Sequence, residues 1–189
     1  MWRPPFSRDL LNLPVESLET ERLVLRRLGL GDGEAFFAMD SDPRVAEAVP
    51  IPAAVDRDRY LAKFAADMAA GNRYRFFRAL AAKSDPARAI GWLLFRPTDD
   101  GENIELGYRL THEHWGRGLV PEACRAMLAV GFEGLMLERI VGYTLPANRN
   151  SQRIFEKLGF HQEGTEILDG YNCLAFALDK RDWRVSKRD

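Results

Sequence analysis

Residues 107–123, Gly-Tyr-Arg-Leu-Thr-His-Glu-His-Trp-Gly-Arg-Gly-Leu-Val-Pro-Glu-Ala, combine types and spacing that can do chemistry. An apolar strand pattern runs into a loop that holds Gly116 and Gly118, and the loop opens a long helix. The first amides of a helix have no partner within it, and the helix dipole is positive there, so such a start suits a pyrophosphate. Glycines let the backbone approach phosphate oxygens without a Cβ in the way. Arg117 adds a charge-assisted donor. Two nucleotide readings fail on residue type. A Walker loop ends in Gly-Lys-Ser/Thr, and this one reads Gly118-Leu119-Val120. A dinucleotide fingerprint needs a third glycine where Pro121 stands. The plain alternative is a tight strand-to-helix turn and nothing more. Further along, Asn148 precedes a short helix, where it serves either as an N-cap or as an amide facing an extended ligand.

The elements that must position these residues follow from periodicity. Residues 22–28 alternate as a first strand, and residues 34–40 form a short helix broken at Ser41-Asp42-Pro43. Asp56 caps a helix that runs to about residue 70, with Leu61, Phe64, Ala65 and Met68 as its apolar stripe and Gly71 as its stop. Strands over 74–82, 89–96 and 103–111, joined by turns at Ser84-Asp85-Pro86 and Asp99-Asp100-Gly101, make an antiparallel meander. Residues 120–132 are a strong helix, with Ala123, Met127, Leu128 and Gly131 on one face. A strand over 139–144, a helix over 151–158 and closing strands over 160–166 and 172–178 complete the pattern. The strand, helix and strand from 103 to 144 make a parallel, right-handed crossover. The whole is an α+β domain built on one mixed, mostly antiparallel sheet, with residues 1–18 as an irregular arm and 19–189 as the domain.

Composition removes several classes. Apolar residues make up 46% of the chain, enough for a core, which excludes a disordered tail. Lys plus Arg (27) balance Asp plus Glu (28), so no overall field holds a nucleic-acid backbone or an anionic membrane. Two cysteines and three histidines with no metal-ligand spacing predict neither a disulfide framework nor a metal site. With no signal-peptide core or long apolar run, a cytoplasmic protein is expected.

Three stretches together carry a family resemblance. They are Glu19-Thr20-Glu21-Arg22-Leu23-Val24-Leu25-Arg26, then Ile104-Glu105-Leu106-Gly107-Tyr108 with Trp115-Gly116-Arg117-Gly118, then Asn148 through Ser151 to Glu156-Lys157-Leu158-Gly159-Phe160. In this order they resemble the GNAT superfamily of acetyl-CoA-dependent N-acetyltransferases, most closely its RimJ/RimL-like branch. The resemblance implies a splayed sheet flanked by helices. The pantetheine arm of acetyl-CoA would enter between strands 103–111 and 139–144, bonded near Leu110 and Thr111. Amides of Trp115, Gly116, Arg117, Gly118, Leu119 and Val120 would hold the pyrophosphate, and Asn148 would face the pantetheine. Val120 departs from the Gly/Ala of the family loop but keeps its amide.

The same resemblance implies an amine acceptor, a small molecule or a protein N-terminus, and direct transfer in a ternary complex by a monomer or homodimer. Neither cysteine stands as a nucleophile: Cys124 falls in the long helix and Cys173 in a closing strand. Glu105 is the base candidate, with an ion pair to a neighbouring arginine as its plain alternative. Many family members carry an acidic tyrosine where this chain has Phe155, so Ser151 is the substitute proton donor, with a helix-start role as its alternative. Acidic residues Glu47, Asp56, Asp58 and Asp169 fall in the segments expected to build the acceptor pocket, 39–59 and 168–171. The rival reading is a non-catalytic acyl-CoA-binding regulatory module.

Overall fold

Leu23 and Leu25 are fully buried while Val24 and Arg26 are only partly covered, and this period of two makes Leu23–Arg26 a strand, β2. The computed structural model describes residues 17–49, 55–70 and 77–186. Residues 1–16 of the arm expected over 1–18, the helix stop at Gly71 and the strand start at Tyr74 lie outside these residues. The fold is α+β, a mixed sheet of eight strands flanked by helices. The chain divides into two compact units, one comprising Val15–Leu94 with Tyr108–Ala123, the other containing Phe95–Gly107 and Cys124–Asp189.

In the first unit, β1 (Ser17–Glu19), β2, β3 (Phe77–Ala82) and β4 (Asp85–Pro97, to Leu94) pair antiparallel in succession. Ser17 and Leu18, expected in the arm, pair with Arg26 and Leu25. The turn between β3 and β4 is Lys83-Ser84, one residue earlier than expected. The register jumps from Ala89 to Asp85, so Pro86 falls in an irregular stretch that needs no ladder N–H. Helix α1 (Asp32–Asp40) starts two residues before its expected position, because the Asp32 carboxylate accepts from the Gly29 amide (2.8 Å) and bidentately from Arg26 (2.7 and 2.8 Å). Asp42 caps a four-residue helix that sequence periodicity does not reveal, α2 (Pro43–Ala46). Asp56 caps α3 (Arg57–Ala69), accepting from the Arg59 amide at 3.0 Å. Phe36, Met39, Val45, Phe64, Ala79 and Ala89 form the core beneath these helices, whereas Ala65 of the expected stripe is exposed.

In the second unit, β5 (Ile104–Leu110, to Gly107) runs parallel to β6 (Arg139–Thr144), pairing Ile104 with Ile140 and Glu105 with Val141. Antiparallel neighbours follow: β6 beside β8 (Tyr171–Asp179), and β8 beside β7 (His161–Leu168). The crossover helix α4 (Leu119–Ala129) ends before Phe132, and Val130–Gly134 continues as a π-helical turn. There Gly131 lies so close to Phe95 and Ile140 that a Cβ would stand 2.8 and 2.9 Å from them. Helix α5 (Arg149–Lys157) buries Phe155, which stacks on Phe176 at 5.1 Å and leaves no room for a Cβ on Gly142. Phe155 is therefore a core residue. An unexpected helix, α6 (Lys180–Ser186), follows β8, with Trp183 stacked on Phe132.

Candidate active site

Within the first unit, the strand-to-helix loop has the geometry its glycines suggested. Gly116 and Gly118 take φ of +73° and +74°, with Arg117 between them outside the left-handed region. Left-handed residues alternating with right-handed ones are a backbone pattern that can turn successive amides toward one side and bind an anion. The three residues are exposed, and nothing lies within 4 Å of where a Cβ on Gly116 would be. Among the described residues, the amides of Gly116, Arg117, Gly118, Leu119 and Val120 donate to no other residue. They are the unsatisfied donors at the start of α4, where the dipole favours an anion.

Three neighbouring positions are committed inside the chain. The Trp115 amide donates to the His112 carbonyl (3.0 Å), so Trp115 contributes no free donor to the loop. Its indole instead donates to the Leu110 carbonyl (2.8 Å) and ties the loop to β5. The Thr111 amide donates to the Ile90 carbonyl (2.9 Å), and its hydroxyl lies 2.7 Å from His114 Nδ1. The loop is also held by residues that sequence reasoning missed as a site. Glu122, in the first turn of α4, accepts from the Thr20 hydroxyl, the Arg22 amide (2.8 Å) and Arg22 Nε (2.7 Å). Arg22 Nη1 donates to the Arg117 carbonyl at 2.9 Å. Burial opposes ionisation of Glu122, but the bonds from Thr20 and Arg22 outweigh it and lower its pKa. The signal was available, since Thr20 and Arg22 lie in the N-terminal stretch that carries the family resemblance.

The second unit positions the proton-handling candidates. Glu105 is largely covered, with 14% of its side chain exposed, and accepts from Arg96 Nε at 2.8 Å. The parallel register puts Glu105 beside Val141, so Tyr143, two residues on, projects from the same face. Burial, then the charges of Glu166 and Glu105, push the Tyr143 phenol up. Asn148 caps α5, its Oδ1 accepting from the Ser151 amide at 3.0 Å, and Ser151 is buried in the first turn. Cys124 is fully buried and its thiol is pushed up by burial, so it holds no thiolate. Burial raises Cys173 too, aided by Asp169 and Glu105. Among the described residues no group of His, Cys, Asp and Glu is set to hold a metal, and no helix is long and apolar enough to cross a membrane.

Asp56 is occupied as the α3 cap, and Asp58 is exposed beside Arg57. Asp169 takes a left-handed φ of +50° in the β7–β8 turn, and Glu47 is exposed. A largely covered ion pair lies elsewhere. Arg109 pairs with Asp40 at 2.5 Å and lies over Trp92, and Asp40 also accepts from Tyr60 (2.8 Å).

The sequence pattern described as Acetyltransferase (GNAT) domain matches residues 22–161. The N-acetyltransferase p20 of Bacillus licheniformis, itself uncharacterized, is 31% identical over 181 residues, covering 89% of this chain and 99% of that one. FsC-acetyl coenzyme A-N(2)-transacetylase of Aspergillus fumigatus is 26% identical over 151 residues, covering 76% of this chain and 64% of that one. A GNAT-family acetyltransferase from Bacillus anthracis shares the fold, with a TM-score of 0.74 and 22% identity over 87% of this chain and 99% of that one. This chain therefore belongs to the GNAT acetyltransferase family, whose members transfer acetyl groups from acetyl-CoA to amines.

Proposed function

We propose that this N-acetyltransferase is a cytoplasmic enzyme of the RimJ/RimL-like branch, with residues 19–189 as its catalytic domain. It moves the acetyl group of acetyl-CoA directly to a primary amine, either a protein N-terminal α-amine or a small-molecule amine. The observation that carries the reading is the run of amides from Gly116 to Val120 that donate to no other described residue, with Gly116, Arg117 and Gly118 exposed. Those donors fit a diphosphate, and the positive-φ glycines keep side chains clear of it. Acetyl-CoA supplies an activated acyl group as a thioester. Arg117 adds a charge at the loop, Leu110 and Thr111 bring β5 to it, and Asn148 offers its amide to the pantetheine.

The amine must be neutral when it attacks, and Glu105 accepts its proton. Ser151 serves as the donor to the departing thiolate. Covalent catalysis through cysteine is disfavoured, because burial keeps Cys124 a thiol. Continuous measurement of free CoA thiol, with acetyl-CoA and a panel of N-terminal peptides, polyamines and amino sugars, tests the reading. Amine-dependent thiol release supports it. Acetyl-CoA binding with no release for any amine makes the chain an acyl-CoA-binding module, and no binding at all removes the diphosphate loop from the account.

A further inference from the structure

Arg22 stands out among residues outside the loop, because its guanidinium is locked in place on one edge and open on the other. Its Nε and backbone amide are taken by Glu122, and Nη1 by the Arg117 carbonyl. Nη2 makes no hydrogen bond among the described residues and lies 3.6 Å from where a Cβ on Gly118 would be. The carbonyl of a trans peptide points opposite to the amide that follows it. Tying the Arg117 carbonyl to Arg22 therefore fixes the plane of the peptide that carries the Gly118 amide. The clamp also answers an electrostatic problem. Glu122 is ionised in the first turn of α4, where its charge suits the dipole but repels any anion on the same amides. Arg22, in direct contact, offsets that charge.

We infer that Arg22, anchored by Glu122, is a positioning residue for the diphosphate loop and presents Nη2 to the bound diphosphate. This rests on the acetyl-CoA reading above and extends it to a strand turn nearly a hundred residues away in sequence. Lysine is only a partial replacement, because its three donors share one nitrogen on a flexible stem and lack the fixed, separated positions from which the guanidinium meets the Glu122 carboxylate and the Arg117 carbonyl while keeping Nη2 apart.

The test compares two acyl donors, acetyl-CoA and S-acetylpantetheine, which lacks the diphosphate. For Arg22→Ala, the preference for acetyl-CoA, measured as the ratio of kcat/KM values, falls about ten- to a hundredfold, as expected for losing a charge-assisted bond. The loss appears in KM more than in kcat. Glu122→Gln keeps the side-chain volume and shifts the ratio in the same direction by a smaller factor, and it carries the test if Arg22→Ala does not fold. Arg22→Lys recovers only part of the preference. Equal losses with both donors would mark the clamp as a general structural tie and overturn the inference. So would an unchanged ratio, or full rescue by lysine. A parent protein that shows no preference for acetyl-CoA over S-acetylpantetheine would instead overturn the diphosphate reading itself.

Discussion

Replacing Glu105 by glutamine separates a proton acceptor from a structural carboxylate. Glutamine keeps the shape and can still accept from Arg96, but it cannot take a proton from an amine. The stability cost is small. Arg96 is 41% exposed, and an ion pair with one solvated partner contributes at most about 1 kcal/mol. For a chain of this length that is about 2–4 °C in melting temperature. The catalytic cost is larger, because a positioned general base contributes about 10²–10⁴-fold, or roughly 3–5 kcal/mol of barrier. At neutral pH kcat should therefore fall by at least two orders of magnitude while acetyl-CoA affinity, read by calorimetry, stays near that of the parent. The residual rate should climb with pH, because the solution then supplies the neutral amine that Glu105 otherwise generates. The reasoning is refuted by a variant that keeps the parent rate. It is equally refuted if rate, acetyl-CoA affinity and melting temperature fall together, since Glu105 would then be only the partner of Arg96.

Gly118→Ala meets no clash but must hold φ near +74°, which costs an L residue about 1–2 kcal/mol. CoA binding by calorimetry should weaken as the loop relaxes, and unchanged affinity would argue that the loop geometry is irrelevant to the ligand. Asn148→Ala removes the cap on the Ser151 amide and should lower stability by about 1 kcal/mol in a thermal melt. Asn148→Asp keeps that cap and loses the side-chain N–H, so a retained melting temperature with weakened acetyl-CoA binding assigns the amide to the pantetheine. Glu122 has a folded pKa below its ordinary value of 4.5, so its stabilisation is present above that value and is lost as pH falls through the folded pKa. Chemical denaturation across the acid range should therefore show a smaller loss of stability in Glu122→Gln than in the parent.

Local grammar was the legible part of the fold. The strand at Leu23–Arg26, the cap at Asp56, the parallel crossover and the two closing strands all follow from periodicity, caps and turn residues. The misplaced boundaries have tertiary causes. Helix α1 starts early because Arg26, from a neighbouring strand, satisfies Asp32, and the regular turns of α4 stop early where Gly131 packs against Phe95 and Ile140. The short helices α2 and α6 are too brief for a period to stand out.

The loop divides in the same way. Two glycines before a helix are a local statement, and they alone dictated the positive-φ turn and its undonated amides, since neither needs a distant partner. Which amides remain available was a tertiary matter. Trp115 lost its amide to His112 and became an anchor through its indole, and the Arg117 carbonyl was turned aside by Arg22. Local backbone preference acts between neighbours in sequence, so a string of residue types reveals it. Hydrogen-bond satisfaction and charge compensation act between neighbours in space, and Arg22 beside Glu122 became neighbours only when the chain folded.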